Sequence, residues 1–396
     1  MGLHRKVLIG NFAVAEAVKL ARVDVVAAYP ITPQTLIVER IADMVERGEL
    51  KAKYIRVESE HSALAAVYGA ALGGARVFTA TSSHGLLYMY EVVWWAAYSK
   101  APIVMGLVTR VIGPPWNIHS DHHDILSVRD SGWIVAMAEN VQEAFDLTIQ
   151  AFRIAEDKRV LQPMMVGLDA FTLSHTAEPL DVPDQSDVDA FLPPREPLPF
   201  VMDPAKPFAM GNLGPDEWTM ELRWTVWRSL ERAKHVIKEV DREYAKKVNG
   251  REYGGLVERY RLDDAKYVAI TWGAWSGDAK EAVDKLRDEG VPIGLLRIRF
   301  ARPFPREELL EVASGAKAIV VVDRAVSMGL DGVFSTEVRS VLSGRVPVKS
   351  VVAGIGGVDT SYRDFVNIFK RFVDEYEKGE TQEWIVPEWY MPWFKG

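Results

Sequence analysis

Four short stretches hold residue types that could do chemistry together. Glu58-Ser59-Glu60-His61 sets two carboxylates ahead of an Ala- and Gly-rich run, Ser62 to Ala75, that must pack closely. An acid at a helix amino terminus can simply complement the dipole. A desolvated carboxyl there would instead keep a raised pKa and share its proton with a ring nitrogen of a ligand, and Glu60 is the one placed for burial. Thr81-Ser82-Ser83-His84-Gly85 clusters hydroxyls and a glycine, which suits hydrogen bonding to a polar ligand at a helix start. Arg110, after an apolar run, offers a guanidinium that could clamp a carboxylate in bidentate fashion. In Tyr29-Pro30-Ile31-Thr32-Pro33, two prolines impose an irregular turn. His119, His122 and His123 lie among Asp121 and Asp124, but the spacing matches no zinc signature. They are expected to be hydrogen-bonded loop residues. Gly354-Ile355-Gly356-Gly357 lacks the third spaced glycine of a dinucleotide fingerprint and predicts a tight turn.

The elements around these stretches follow from periodicity. Short β-branched runs alternate with longer helical patterns, the signature of βαβ units and a parallel sheet. Helices are predicted at Asn11–Ala21, Thr35–Arg47, His61–Leu72 and Leu86–Tyr98. Strands are predicted at Val23–Ala28, Tyr54–Val57, Val77–Thr79 and Ile103–Val108. All four candidate stretches then follow strands, where open α/β sheets bind ligands. From Thr176 to Pro207 eight prolines and many acids predict an extended, irregular connection. Trp218, Leu222, Val226, Leu230, Ile237, Val240 and Tyr244 then mark one long amphipathic helix with a charged outer face. A second alternating set starts at Lys266, with strands at Tyr267–Thr271, Ile293–Ile298 and Ala318–Val322. The last stretch, Glu383 to Gly396, is aromatic without clear periodicity and reads as a tail packed on another surface. The chain is thus divided into residues 1–175, a connection and helix over 176–265, a smaller α/β domain over 266–375, and a tail over 376–396.

Composition bounds the function. At 396 residues the chain is long enough for two or three domains of about 150 residues. Forty-seven basic against 55 acidic side chains give a net charge of −8, which argues against a nucleic-acid partner. Zero cysteines exclude disulfides, a cysteine nucleophile and any iron–sulfur cluster ligated by this chain alone. No run reaches the roughly 20 apolar residues of a membrane span, and the amino terminus lacks a signal-type apolar core. A cytoplasmic protein is expected. Scarce Asn and Gln in a charge-rich chain point to a hot-living source.

Taken in order, AAYPITPQT (27–35), VESEHSALAAVYGA (57–70), FTATSSHGLLYMYE (78–91), RVIGPPWNIHSDHHD (110–124) and RDSGW (129–133) form a specific pattern. AEN and QEA around Asn140, RPFP (302–305), DR-VSMG (323–329) and AGIGGVD (353–359) extend it over nearly the whole chain. This pattern resembles the alpha subunit of the 2-oxoacid:ferredoxin oxidoreductases, the pyruvate and branched-chain (2-ketoisovalerate) enzymes.

The resemblance implies a pyrimidine-type thiamine diphosphate domain followed by a smaller transketolase carboxyl-terminal-like domain. It implies that Glu60 contacts N1′ of the aminopyrimidine, favouring the tautomer whose 4′-nitrogen removes the thiazolium C2 proton. Pro30, Ile31, Ser83 and His84 fall beside the cofactor. Thr32 and Arg110 match the family's substrate contacts, and Ile31, Pro33 and Trp116 are expected to line the side-chain pocket. Thiamine enzymes anchor the diphosphate through Mg²⁺ and a Gly-Asp-Gly motif, absent here because Gly277-Asp278 is followed by Ala279. The family places the Mg²⁺ site and a [4Fe-4S] cluster in a beta subunit. Delta and gamma subunits complete the complex, with ferredoxin and CoA as acceptors and a dimer of hetero-oligomers as the assembly. Some relatives carry glutamine in place of His84. Pro114-Pro115-Trp116 leans towards a branched-chain acid, with pyruvate the other candidate. The competing expectations are a non-catalytic assembly subunit with the same fold, and a self-sufficient transketolase-like enzyme that the missing Gly-Asp-Gly disfavours.

Overall fold

The computed structural model describes residues 2–391 and 393, apart from 199, 201, 202 and 208. The chain opens with strand β1 (Leu3–Ile9), helix α1 (Gly10–Leu20), β2 (Val25–Ala28), α2 (Thr35–Glu46), β3 (Lys53–Arg56) and α3 (Glu60–Leu72). It continues through β4 (Val77–Thr81), α4 (Ser83–Tyr88), α5 (Tyr90–Tyr98), β5 (Ile103–Thr109) and α6 (His123–Ser127). Then come β6 (Ile134–Met137), α7 (Val141–Ala155) and β7 (Met164–Asp169). Strands β2 to β7 form a parallel sheet in the spatial order β6-β7-β5-β4-β2-β3. Central strands such as β4 and β5 are buried at every residue, because helices cover both faces and leave no wet side for polar alternation. From β2 the chain crosses to β3 on one side and then to β4 on the other. The turns after β2 and β4 therefore flank a topological switch point.

The long segment after β7 is more ordered than expected. Strand β8 (Ala177–Pro183) pairs antiparallel with β1, and α8 (Gln185–Phe191) follows. Prolines do not prevent this, since β8 has a single partner and no donor is required on its other edge. Helix α9 (Asp216–Tyr244) matches the predicted amphipathic helix, but its apolar stripe is buried only from Val226 onward. Trp218, Leu222, Trp224 and Trp227 are exposed.

The second domain contains β9 (Val257–Tyr260), β10 (Tyr267–Trp272), α10 (Ser276–Asp288), β11 (Ile293–Ile298), β12 (Phe300–Arg302) and β13 (Ala318–Asp323). Its sheet runs β13-β10-β11-β9, with Val348–Val352 beyond β13 and Glu388–Trp389 at the edge. Side chains alternate across each strand. Tyr267, Ala269, Ala318 and Val320 face a small core with α10 and the helix Tyr362–Lys378. Val268, Ile270, Trp272, Ile319 and Val321 join the main core instead. The aromatic tail packs on this same domain, with Trp384 against Phe372. Residues 392 and 394–396 of that tail lie outside the described residues.

Strand β12 leaves the second domain and pairs antiparallel with β6 of the first sheet. Beside it, Glu143 of α7 takes Arg297 at 2.9 and 3.0 Å and Arg299 at 2.6 Å, all three side chains being buried. Burial alone would raise the Glu143 carboxyl, but the two guanidinium groups hold it at about 2. Removing one partner of such a cluster strands the others' charge. Glu143→Ala is expected to cost about 3 kcal/mol or more in chemical denaturation; a loss under about 1 kcal/mol would show that the arginines find other partners.

Candidate active site at the carboxyl ends of the first sheet

Glu60 is the first residue of α3. Ser59 caps that helix by accepting from the Ser62 N–H at 3.2 Å. The two neighbouring carboxylates part company here. Glu58 is exposed and bonds Ser62 and Ser59, whereas Glu60 is buried. Among the described residues no side chain or backbone group hydrogen-bonds or ion-pairs with the Glu60 carboxylate. A Cβ on Gly85 would lie 2.5 Å from Thr81 Oγ1 and 2.8 Å from Glu60 Oε1, so only glycine lets α4 pass this close to the acid. The hydroxyls of Thr81 and Ser82 are also buried without partners.

The turn into α4 is held open by two bonds. Ser83 sits at φ 48°, in the left-handed region. Its N–H donates to Asp124 Oδ2 at 2.9 Å and its hydroxyl to the Val111 carbonyl at 2.5 Å. The same Asp124 Oδ2 accepts the Arg110 N–H at 2.9 Å, so one buried carboxylate ties the ends of β4 and β5 together.

Arg110 is buried, and its Nη1 donates to the Thr32 carbonyl at 2.6 Å. Its Nη2 lies 3.3 Å from His84 Nδ1, and its Nε is buried without a partner. Desolvation by burial pushes the guanidinium below its ordinary range, while Asp124 and Glu60 oppose that shift through space. Trp116 covers Arg110, with 5.0 Å from Cζ to the ring, and meets His84 edge-on at 5.7 Å. Thr32 and Trp116 form an exposed rim, Pro30 is exposed, and Ile31 is half-buried on the same turn.

The loop bearing Trp116 continues onto the second domain. Asn117 Nδ2 donates to the Gly356 carbonyl at 2.9 Å. His122 Nε2 and Arg324 Nη1 meet Asp169 Oδ1 at 2.8 and 2.9 Å. His123 bonds Asp121 and Val326, as expected of hydrogen-bonded loop residues. Among the described residues no group of three metal-ligating side chains converges. Thr32, Glu60, His84, Arg110 and Trp116, all singled out by sequence, thus stand in the loops and helix starts beyond the carboxyl ends of β2, β3, β4 and β5. Sequence reasoning missed Gly85 as the residue that admits Glu60, and Asp124 as the tie, although both lie inside the candidate stretches.

A buried acid with no internal partner, two orphaned hydroxyls and a glycine-lined approach fit an aminopyrimidine, whose ring nitrogens and amino group need such partners. The α/β fold is that of a thiamine diphosphate-binding domain, as the family match shows. Residues 16–242 match the family model "Pyruvate flavodoxin/ferredoxin oxidoreductase, thiamine diP-bdg", and residues 265–365 match "Pyruvate:ferredoxin oxidoreductase core domain II". The chain belongs to the 2-oxoacid:ferredoxin oxidoreductase family and is an oxidoreductase subunit of that type. It is 46% identical to the ketoisovalerate oxidoreductase subunit VorA of Pyrococcus abyssi, over 98% of this chain and 97% of the relative. It is 45% identical to the pyruvate synthase subunit PorA of Methanocaldococcus jannaschii, over 96% and 97%. The solved 2-oxoglutarate:ferredoxin oxidoreductase of Magnetococcus marinus shares the fold, with a TM-score of 0.72 at 20% identity over 93% of this chain and 65% of that one. A split-gene transketolase shares it more distantly, with a TM-score of 0.53 at 13% identity over 92% and 97%. No helix among the described residues is long and apolar enough to cross a membrane.

Burial pushes the Asp124 carboxyl up to about 7, against the pull of the backbone N–H groups of Arg110, Ile125 and Ser83. With a folded value above the ~3.9 of an unfolded chain, its contribution to stability is complete below that value and is lost as pH rises through about 7. Asp124→Asn does not titrate. The stability of the native protein relative to this variant is therefore expected to fall between about pH 4 and about pH 7 in denaturant titrations. A difference that does not vary with pH would show that Asp124 stays ionised throughout.

Proposed function

We propose that this chain supplies the pyrimidine side of a thiamine diphosphate site and the carboxylate grip for a 2-oxoacid. It does so within a complex that oxidatively decarboxylates the acid to acyl-CoA and CO₂ and reduces ferredoxin. The observation that carries this reading is the buried, unpartnered Glu60 carboxyl against Gly85. When bound, the cofactor supplies the carbon nucleophile and holds the electrons released as CO₂ leaves. Glu60 holds a proton at the pyrimidine nitrogen that faces it, and burial strengthens that hydrogen bond by excluding water. Pro30 and Ile31 flank the cofactor from the turn after β2. Ser83 acts from behind, since its N–H and hydroxyl are already committed to Asp124 and Val111.

Arg110 and the Thr32 hydroxyl orient the substrate carboxylate. A single guanidinium half-committed to the Thr32 carbonyl limits the grip, which matters because over-binding the departing carboxylate would slow its loss. Ile31, Pro33 and Trp116 line the flank that meets the acid's side chain, and the apolar indole of Trp116 offers a branched side chain more contact than the methyl of pyruvate.

The diphosphate, its Mg²⁺ and the [4Fe-4S] clusters are assigned to partner chains of the beta, gamma and delta type. The chain has no cysteine and no Gly-Asp-Gly, which supports that division. A dimer of such hetero-oligomers in the cytoplasm completes the reading.

In the complex reconstituted with its partner subunits, Glu60→Gln is expected to slow hydrogen–deuterium exchange at thiamine C2 by about 100-fold or more. Exchange at the native rate would remove Glu60 from this role. Arg110→Ala should raise KM for the 2-oxoacid about tenfold or more while C2 exchange continues. An equal loss of cofactor affinity would contradict the assignment.

A further inference from the structure

The hydrogen-bond polarity around His84 does not close within the chain. The Gly113 N–H donates to His84 Nε2 at 3.1 Å, and a backbone N–H has no acceptor role to exchange for this one. Nε2 is then the acceptor nitrogen, and the neutral ring carries its proton on Nδ1. Nδ1 lies 3.3 Å from Arg110 Nη2, which is likewise a donor. Moving the ring proton to Nε2 only transfers the conflict to Gly113. Whichever nitrogen is protonated, one N–H faces another.

Other donors around this point are uncommitted. Arg110 Nη1 is used by the Thr32 carbonyl, but Nε is buried and unpartnered. The Nε–Nη2 edge is the one that takes a carboxylate side-on. The Thr32 hydroxyl, at the rim, has no partner among the described residues either. Trp116 packs on both Arg110 and His84 and holds the two together.

We propose that His84 is a substrate-binding residue whose Nδ1–H donates to the same carboxylate that Arg110 takes. An anionic oxygen placed to one side, within reach of both Nδ1 and Nη2, gives the two opposed donors a common acceptor. The grip then has three nitrogen donors, Nε, Nη2 and Nδ1, with Thr32 Oγ1 completing the set. This assigns His84 to the substrate rather than to the cofactor, and it rests on the reading of the site as a thiamine-dependent 2-oxoacid site.

The test uses the complex reconstituted with its partner subunits. His84→Phe keeps a ring against Trp116 but has no N–H, whereas His84→Gln keeps one. KM for the 2-oxoacid is measured together with the inhibition constant of the matching simple carboxylate, which lacks the 2-oxo group. In His84→Phe both are expected to rise in parallel by about tenfold to a hundredfold, the range for a lost hydrogen bond to a charged group. In His84→Gln both should stay within about threefold of the native values. Should the Phe variant fail to assemble, His84→Met carries the same expectation. Exchange at thiamine C2 needs no substrate and reports the cofactor separately. Unchanged constants in His84→Phe would overturn the proposal, as would a loss of C2 exchange as large as the rise in KM, which would put His84 on the cofactor. Absence of C2 exchange in the native complex would instead overturn the thiamine reading itself.

Discussion

Two strand ends that carry the candidate site residues can be brought together only if their backbone donors are satisfied away from water, and Asp124 does this. Its carboxylate is fully buried and accepts the N–H groups of Ser83, Arg110 and Ile125. Ser83 and Arg110 belong to different strand-to-loop turns, so the shared acceptor fixes the distance between them. The left-handed backbone at Ser83 is a local cost of order 1–3 kcal/mol that these contacts hold in place. That turn sets the direction of α4, and with it the positions of His84 and Gly85.

A second shared acceptor stands at the seam between the domains. Asp169, at the end of β7, accepts Ser120, His122 and Arg324 through one oxygen and the Ala274 N–H through the other. Burial would raise its carboxyl, but the charges of His122 and Arg324 hold it well below the usual carboxylate range. A loop that starts at Arg110 is thereby anchored to residues from both halves of the chain. The second domain is in this sense part of the site's support although it contributes none of the four candidate stretches. Its sheet can serve two cores because alternate residues of β10 and β13 point to opposite faces.

How much of this was legible in the sequence depended on the range of the forces involved. The βαβ strands were readable because burial on both faces imposes continuous apolar runs such as Ile103–Val108. The order of the candidate stretches was readable because each lies one turn beyond such a run. The pairing of β1 with β8 was not, since it joins residues as far apart as Leu3 and Pro183, and proline-rich composition pointed the other way. Helix α4 begins earlier than its apolar period suggests, because the left-handed Ser83 is stabilised by Asp124 and Val111, which no local pattern announces. Gly85 looks like one of many helix-flanking glycines; only the approach of Glu60 from another helix makes it a necessity. Trp218 and Leu222 of α9 follow the helical period of the buried stripe, yet the period could not tell that the domain covers it only from Val226 onward.

The arrangement also explains how a buried acid and a buried guanidinium share a small site without neutralising each other. Left to themselves at close range the two would pair, and a paired Glu60 would have its carboxyl oxygens committed to Arg110 rather than free for a ligand. Glu60 does act on Arg110 through space, but no contact forms. Arg110 is turned aside by three features: the Thr32 carbonyl takes Nη1, Trp116 covers the guanidinium face, and its backbone is tied to Asp124. Glu60 is fixed at the start of α3, with α4 packed against its carboxyl through Gly85. Separation of the two charges is thus built into the turns after β2, β3, β4 and β5, and each group keeps unused hydrogen-bonding capacity at the same end of the sheet. Such free capacity at two nearby points, one acidic and one cationic, is what the proposed pairing of a ring nitrogen with one and a substrate carboxylate with the other needs.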